Sequence, residues 1–338
     1  MIAIDSERIT ARLPSGYRAR PFVDADREPL VEERNAGLHP MEQQSAEEWR
    51  MWDRLAPDPT QYRVVVEEES ARRVVASGNV GAGGSFRHAD GSQNGQVGVA
   101  RSARGKGIGS VLLAEIEDEA RRRNAPRIIA SASAAHPFAL EWAARRGYRE
   151  IGRRIESYVD LHAFDPLAWE EQVQGVNASG IAFRTFADVM AGLDDDGRER
   201  FYRGVYDAQT PMWEDIPFAT PEEPWPYERF RTLVFESGRL IAEASVLAYD
   251  GDRLVGFTQT AKRRDRDGST WMTGTAREYR GRGIATALKV HALRLAKARG
   301  LRAMLTVNDE PNKAMRGINA RLGYQMLPAR VQLEKRLG

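Results

Sequence analysis

The chain of 338 residues has no cysteine. Disulfides, thiolate nucleophiles and cysteine-based metal sites are therefore excluded. Long apolar runs are missing too: no stretch of about 18 apolar residues occurs, and the N-terminal segment meets a charge at Asp5 without an apolar signal core. A soluble, cytoplasmic protein is expected. An excess of charge of one sign is also lacking, since 50 Lys plus Arg stand against 48 Asp plus Glu. So balanced a chain gives no field that argues for nucleic acid or membrane as a partner. Histidine is scarce. His39, His88, His136, His162 and His291 show no metal-ligand spacing, and His291 falls on an apolar helix face, so no metal is expected.

What the chain does have is a repeat. Arg104, Gly105, Lys106, Gly107, Ile108 and Gly109 return as Arg280, Gly281, Arg282, Gly283, Ile284 and Ala285, at an offset of 176. Gly98 and Gly274, Leu112 and Leu288, Gly147 and Gly323, and Tyr148 and Tyr324 keep the same offset. So long a period means two copies of a whole domain rather than a solenoid, and the length suits two cores of ordinary size. The expected division is a first domain over 1–162, a linker helix and boundary over 163–180, and a second domain over 181–338.

Within each copy a strand feeds the glycine loop, which opens a helix. Gln96–Ala100 is the first such strand, and Ile108, Val111, Leu112, Ile116 and Ala120 form the apolar face of the helix that follows. Upstream, Tyr62–Val66 and Val74–Val80 read as a hairpin, and Ser45 with Glu48 as a capping box. Thr220 and Glu223 make the same box in the second half. Arg127–Ala132 and Ala303–Val307 read as buried strands, each followed by a helix that ends at Gly147 or Gly323.

A loop between a strand and a helix offers unpaired backbone N–H groups and the positive end of the helix dipole, which together suit a phosphate. Glycine lets the phosphate approach, and Arg104, Lys106, Arg280 and Arg282 add charge. No Walker ending of Gly-Lys-Ser/Thr is present, and the loops come too late in each half for a dinucleotide-binding fingerprint. The fold class expected is α+β, each half a mixed, mostly antiparallel sheet flanked by helices.

The string Arg-x-x-Gly-x-Gly/Ala, then helix, strand, helix and Gly-Tyr, resembles the GNAT acetyltransferases, and it does so in both halves. The tandem layout is similar to that of mycothiol synthase and other two-domain members. The resemblance implies acetyl-CoA as co-substrate, with the pyrophosphate on the two loops. It also implies pantetheine along the strands that end at Val99 and Thr275, and a cofactor contact from Asn312. One departure stands out. Many members carry a tyrosine four residues before the last glycine, where it can protonate the departing thiolate, but here those residues are Ala143 and Asn319. Tyr148 and Tyr324, just after the glycine, are expected in the core.

No catalytic base is evident on the strands before the loops. The stretch 207–228 mixes Trp213, Phe218 and Trp225 with Asp207, Glu214, Asp215, Glu222 and Glu223, a composition that suits a cationic amine. The alternative is an amphipathic segment whose aromatics pack on the core and whose acids are solvated. Glu214, Asp215 and Glu243 are the weak candidates for a catalytic role. The expected function is N-acetyl transfer from acetyl-CoA to a small, cationic amine by direct attack, the second half being the active one. A non-catalytic acyl-CoA-binding or regulatory protein and a protein or peptide N-acetyltransferase are the alternatives. The two halves make the chain pseudo-dimeric in itself, and association between chains is left open.

Overall fold

The computed structural model describes residues 4–83, 87–219, 222, 224–264 and 266–338. The chain forms two compact units, the first made of residues 1–153, 219–223 and 330–338, the second of residues 154–218 and 224–329. Each is a mixed sheet flanked by helices, the α+β arrangement expected. Among the described residues no helix is long and apolar enough to cross a membrane.

The first unit contains α1 (Ser6–Thr10), β1 (Tyr17–Pro21), α2 (Arg27–Asn35), α3 (Ala46–Leu55), β2 (Tyr62–Glu68), β3 (Arg73–Gly81), β4 (Gln93–Val99), α4 (Ile108–Arg122), β5 (Arg127–Ser133) and α5 (Pro137–Ala144). Strand β6 (Arg149–Asp160) starts here and passes into the second unit. There it is followed by α6 (Glu170–Ala178), β7 (Ile181–Thr185), α7 (Phe186–Met190), α8 (Asp195–Glu214), α9 (Tyr227–Arg231), β8 (Val246–Asp250), β9 (Arg253–Lys262), β10 (Asp267–Thr275), α10 (Ile284–Ala298), β11 (Ala303–Asp309), α11 (Lys313–Arg321) and β12 (Gln325–Met326). The last strand, β13 (Arg330–Arg336), belongs to the first unit.

The units have therefore exchanged their final strands. β13 pairs antiparallel with β5, Arg127 opposite Arg336, while β6 pairs antiparallel with β11, Ala303 opposite Asp160. Moving either register by the repeat offset gives the other. Residues 154–162, expected with the first half, thus lie in the second unit, and residues 330–338, expected with the second half, lie in the first. Residues 163–180, expected as a boundary, are part of the second unit and carry α6, whose Val173 and Val176 are buried in its core.

Periodicity explains the packing. On α4 the side chains of Ile108, Leu112, Ile116 and Ala120 are buried against the first sheet, and on α10 Ile284, Ala287 and Leu288 do the same in the second unit. The capping box at Ser45 is present: its hydroxyl accepts from Glu48 N at 3.0 Å, and the Glu48 carboxylate accepts from Ser45 N at 2.9 Å. Replacing Ser45 with alanine is expected to lower stability by about 1 kcal/mol, measured by urea unfolding. The second box, at Thr220 and Glu223, lies outside the described residues.

α10 departs from its twin at one position. Lys289 is fully buried where α4 has Leu113, and its Nζ has no hydrogen-bond partner, resting instead 4.9 Å from the centre of the Tyr324 ring. Burial alone pulls its pKa down to about 7.

Candidate acyl-CoA site

Both glycine loops take the same path. After a short turn, Gly105 and Gly107 in the first unit, and Gly281 and Gly283 in the second, adopt left-handed backbone angles, with φ of 78°, 85°, 77° and 81°. Gly107 and Gly283 are the N-cap residues of α4 and α10, and neither can offer a capping side chain, so the first-turn amides stay available to an anion. Space is not what requires glycine at Gly281, where an added Cβ would meet nothing within 4 Å. The backbone angle is.

The arginine that opens each loop folds back on the preceding strand. Arg104 Nε donates to Val99 O at 2.9 Å, and Arg280 Nε to Thr275 O at 3.1 Å, which braces the junction of strand and loop. Composition gave no sign of this bond, yet its repetition across the twins could have suggested it. Lys106 Nζ donates to the Tyr17 hydroxyl at 2.7 Å, and the Arg282 guanidinium lies 5.0 Å from the Tyr279 ring centre.

Beyond the loops the strands open. β4 and β5 pair in parallel only at Gln93–Ile128 and Asn94–Ile129, and β10 and β11 only from Asp267–Ala303 to Ser269–Leu305. The rest of each strand pair diverges, leaving backbone donors and acceptors for an extended chain. Here the twins differ. β10 carries a register shift against β9 between Thr270 and Met272, a bulge at Trp271, whereas β4 pairs with β3 without interruption. This bulge sits where the two parallel strands part.

α8 covers the other side of β10. Met212 lies so close over Gly274 that a Cβ there would come 2.3 Å from its sulfur. At the end of α8, Asp215 accepts from Arg277 Nη2 at 2.6 Å and Nε at 3.0 Å, and from Arg280 Nη2 at 2.5 Å. Hydrogen bonds from Arg277 and then Arg280 lower its pKa to about 2. Asp215 therefore joins the loop's arginines to α8, beside a cleft of about 250 Å³. Glu214 is exposed at the last position of α8, and Glu243 is half-exposed and accepts from Arg299 at 3.1 Å. The geometry thus does not gather Glu214, Asp215 and Glu243 into one constellation.

The aromatic residues of the 207–228 stretch pack on one another. Trp213 stacks at tilted angles with Phe218 and Trp225, centroids 5.2 and 5.7 Å apart, while Asp207, Glu214 and Glu228 are exposed. Tyr148 and Tyr324 are buried, and burial pushes both hydroxyls up from their ordinary range, as core tyrosines. His291 is half-buried beside Phe183 and pulled down to about 4, chiefly by desolvation.

The second helix of the motif in the second unit is α11. Asn312 is the N-cap of α11, its Oδ1 accepting from Met315 N at 3.2 Å. Asn319, in the last turn of α11, is buried, and its Nδ2 donates to Asn308 Oδ1 on β11 at 2.7 Å.

Three comparisons with known proteins bear on this geometry. The sequence profile of the Acetyltransferase (GNAT) family matches residues 28–148 and again residues 204–324. The chain belongs to that family, in tandem form, and is an acyltransferase; enzymes of the family take acetyl-CoA. No curated protein sequence matches the chain significantly. Among solved structures, a GCN5-related N-acetyltransferase from Sphaerobacter thermophilus is similar at 24% identity, with a TM-score of 0.72, over 96% of this chain and 97% of its own. A tandem GNAT protein from the clavulanic acid biosynthesis pathway is similar at 20% identity and a TM-score of 0.68, over 95% of this chain and 99% of its own. A glucosamine N-acetyltransferase region of a fungal β-N-acetylglucosaminidase follows, at 16% identity and a TM-score of 0.68, over 95% of this chain and 38% of its own. These likenesses are of fold.

Proposed function

We propose that the protein transfers an acetyl group from acetyl-CoA to a small, cationic amine by direct attack, and that the second unit carries out the reaction. The bulge at Trp271 carries this reading. It interrupts the ladder where β10 and β11 part, the region in which backbone amides would face a thioester carbonyl, and β4 has no such interruption.

In the second unit Thr275, Arg280, Gly281, Arg282, Gly283, Ile284 and Ala285 would hold the CoA phosphates and the near end of pantetheine, with Asn312 at the rim. Val99, Arg104, Gly105, Lys106, Gly107, Ile108 and Gly109 form a second cradle of the same backbone geometry, read as binding CoA without catalysis. The amine nitrogen attacks the thioester carbonyl carbon, the C–S bond breaks with its electron pair going to sulfur, and the amine proton is lost to water or to Glu214. Asp215 is too weakly basic for that step and holds the arginines in place instead. Aligning the two reactants is worth about 7 to 11 kcal/mol in favourable cases, enough to make a strong protein base unnecessary. The exposed acids Asp207, Glu214 and Glu228 beside the Trp213 cluster support a cationic acceptor.

Gly283→Glu tests the assignment. It forces a side chain into a left-handed position and sets a carboxylate at the anion site. Release of CoA thiol in the presence of a panel of amines is expected to fall at least 100-fold, whereas Gly107→Glu leaves most of it. The opposite ranking would place the reaction in the first unit.

A further inference from the structure

In the first unit Trp142 reaches across the opening between β4 and β5. It sits on α5, the helix that follows β5, and its indole extends to the other side, where Val99 ends β4 and Gly109 stands in the first turn of α4. A Cβ at Gly109 would come 3.4 Å from Trp142 Cζ2 and 3.3 Å from Val99 Cγ2, tighter than ordinary van der Waals contact. Gly109 lies inside α4 and has no left-handed angle. Glycine is therefore required there by the ring and not by the backbone.

Arg146, just past the end of α5, holds the ring in place. Its guanidinium lies 4.0 Å from the Trp142 ring centre, while Nη2 donates to Ser110 Oγ at 2.8 Å and Nη1 to Trp142 O at 3.1 Å. Ser110 follows Gly109 in α4, so α5, the indole and the start of α4 are tied together. One turn earlier on α5, the Phe138 ring centre lies 4.7 Å from the guanidinium of Arg104, the first residue of the glycine loop.

The second unit is built differently at each of these points. Ala285 stands for Gly109, Ile318 for Trp142, Leu322 for Arg146 and Ala314 for Phe138. Leu322 is buried in the second core, and Ile318 packs against that core. An isoleucine is too short to span the opening as an indole does. The differences belong together: the large ring comes with the small glycine, and the arginine comes with the ring.

We propose that Trp142 makes the first cradle a site for the nucleotide end of CoA alone, by keeping the pantetheine arm out of the opening between β4 and β5. The proposal rests on the reading of the glycine loops as CoA cradles. Around Gly105 and Gly107 nothing lies within 4 Å of an added Cβ, so a diphosphate can still approach the loop. The arm meets a packed ring instead of an open slot. Such a site does not sense what the arm carries, and acetyl-CoA, CoA and the bare nucleotide are bound alike. It also gives a cause for a cradle without catalysis, since a thioester held outside the strands meets no backbone amides in the opening.

Calorimetry on the full chain tests this, with Gly283→Glu silencing the second cradle. The probes are acetyl-CoA, CoA and adenosine 3′-phosphate 5′-diphosphate, which carries no arm. With Trp142 in place the three are expected to bind within about three-fold of one another. Trp142→Ile, the residue of the second copy, should make CoA bind about ten-fold tighter than the nucleotide or better, because the arm then gains its contacts. Trp142→Phe serves should the isoleucine chain misfold, since it keeps a ring on the core but lacks the second ring that reaches Gly109. A ratio of CoA to nucleotide affinity that moves by less than about three-fold in a folded variant overturns the role of Trp142 and leaves the cradle reading standing. Failure of all three probes to bind the Gly283→Glu chain overturns both.

Discussion

Replacing Lys289 with leucine is expected to stabilise the second unit by about 4 kcal/mol at neutral pH, an unusually large gain for one substitution. The cause is the ammonium's lost hydration. Lys289 is fully buried, no carboxylate or carbonyl bonds its Nζ, and burial pulls its pKa from 10.5 to about 7. In the unfolded chain the amine keeps its ordinary pKa. Between pH 7 and about 10.5 the unfolded state therefore holds a proton that the folded state has lost, so the stability of the unsubstituted chain rises with pH across that window. Below the window both states are protonated and the penalty is present in full. Leu113, which occupies the matched position on α4 and is buried in the first core, shows that the repeat accepts leucine there. Urea unfolding from pH 6 to 10, monitored by tryptophan fluorescence, should show the gain from Lys289→Leu shrinking as pH approaches 10. A gain independent of pH would mean that the leucine acts through packing alone.

The repeat was legible because its signal is carried by residues whose chemistry is local. A left-handed glycine at the start of a helix and an apolar stripe at helical spacing impose the same geometry wherever they occur, so Gly105 and Gly281 could be read without knowing their neighbours. The exchange of strands could not be read in this way. Residues 154–160 and 330–336 are the last strands of two copies of one module, and each offers the same hydrogen-bonding edge to β5 and to β11. Alternation of side chains fixes which face is buried, but not which of two equivalent partners is taken. The bulge at Trp271 was hidden for a related reason, because one extra residue in a strand changes register without changing composition. Asp215 was visible as an acid near aromatic residues, yet its pairing with Arg277 and Arg280 depends on α8 reaching the loop from a distance of more than sixty positions in the chain. Asn319 stands where many family members carry a tyrosine, and the burial that leaves its carboxamide oxygen without a partner comes from the packing of α11, which composition does not carry.

The exchange itself has the second large consequence. Deleting residues 330–338 is expected to unfold the first unit while the second keeps its CoA affinity, although the cut falls at the far end of the sequence. β13 supplies Val331 and Leu333 to the first core, Leu337 just beyond it adds a third side chain, and seven residue pairs of β5 are matched against β13. It also brings in Glu334, which is 2% exposed and accepts from both Arg127 and Arg149. Hydrogen bonds from these two arginines keep the Glu334 carboxyl below its ordinary range against the opposing effect of burial. Its contribution therefore needs Glu334 ionised, and it fades as pH falls into the acid range and the carboxylate is protonated. Glu334→Ala leaves Arg127 and Arg149 in reach of solvent, so it alone should weaken the first unit by about 1.5 to 3 kcal/mol, the worth of hydrogen bonds to a charged group. The full deletion adds the loss of a whole strand and leaves the edge of β5 open. Limited proteolysis provides the readout: fragments from residues 4–153 should disappear early in the truncated protein, while a resistant product spanning residues 154–329 persists. Equal resistance of both units after truncation would show that β5 had found another partner and that β13 is dispensable to the first fold.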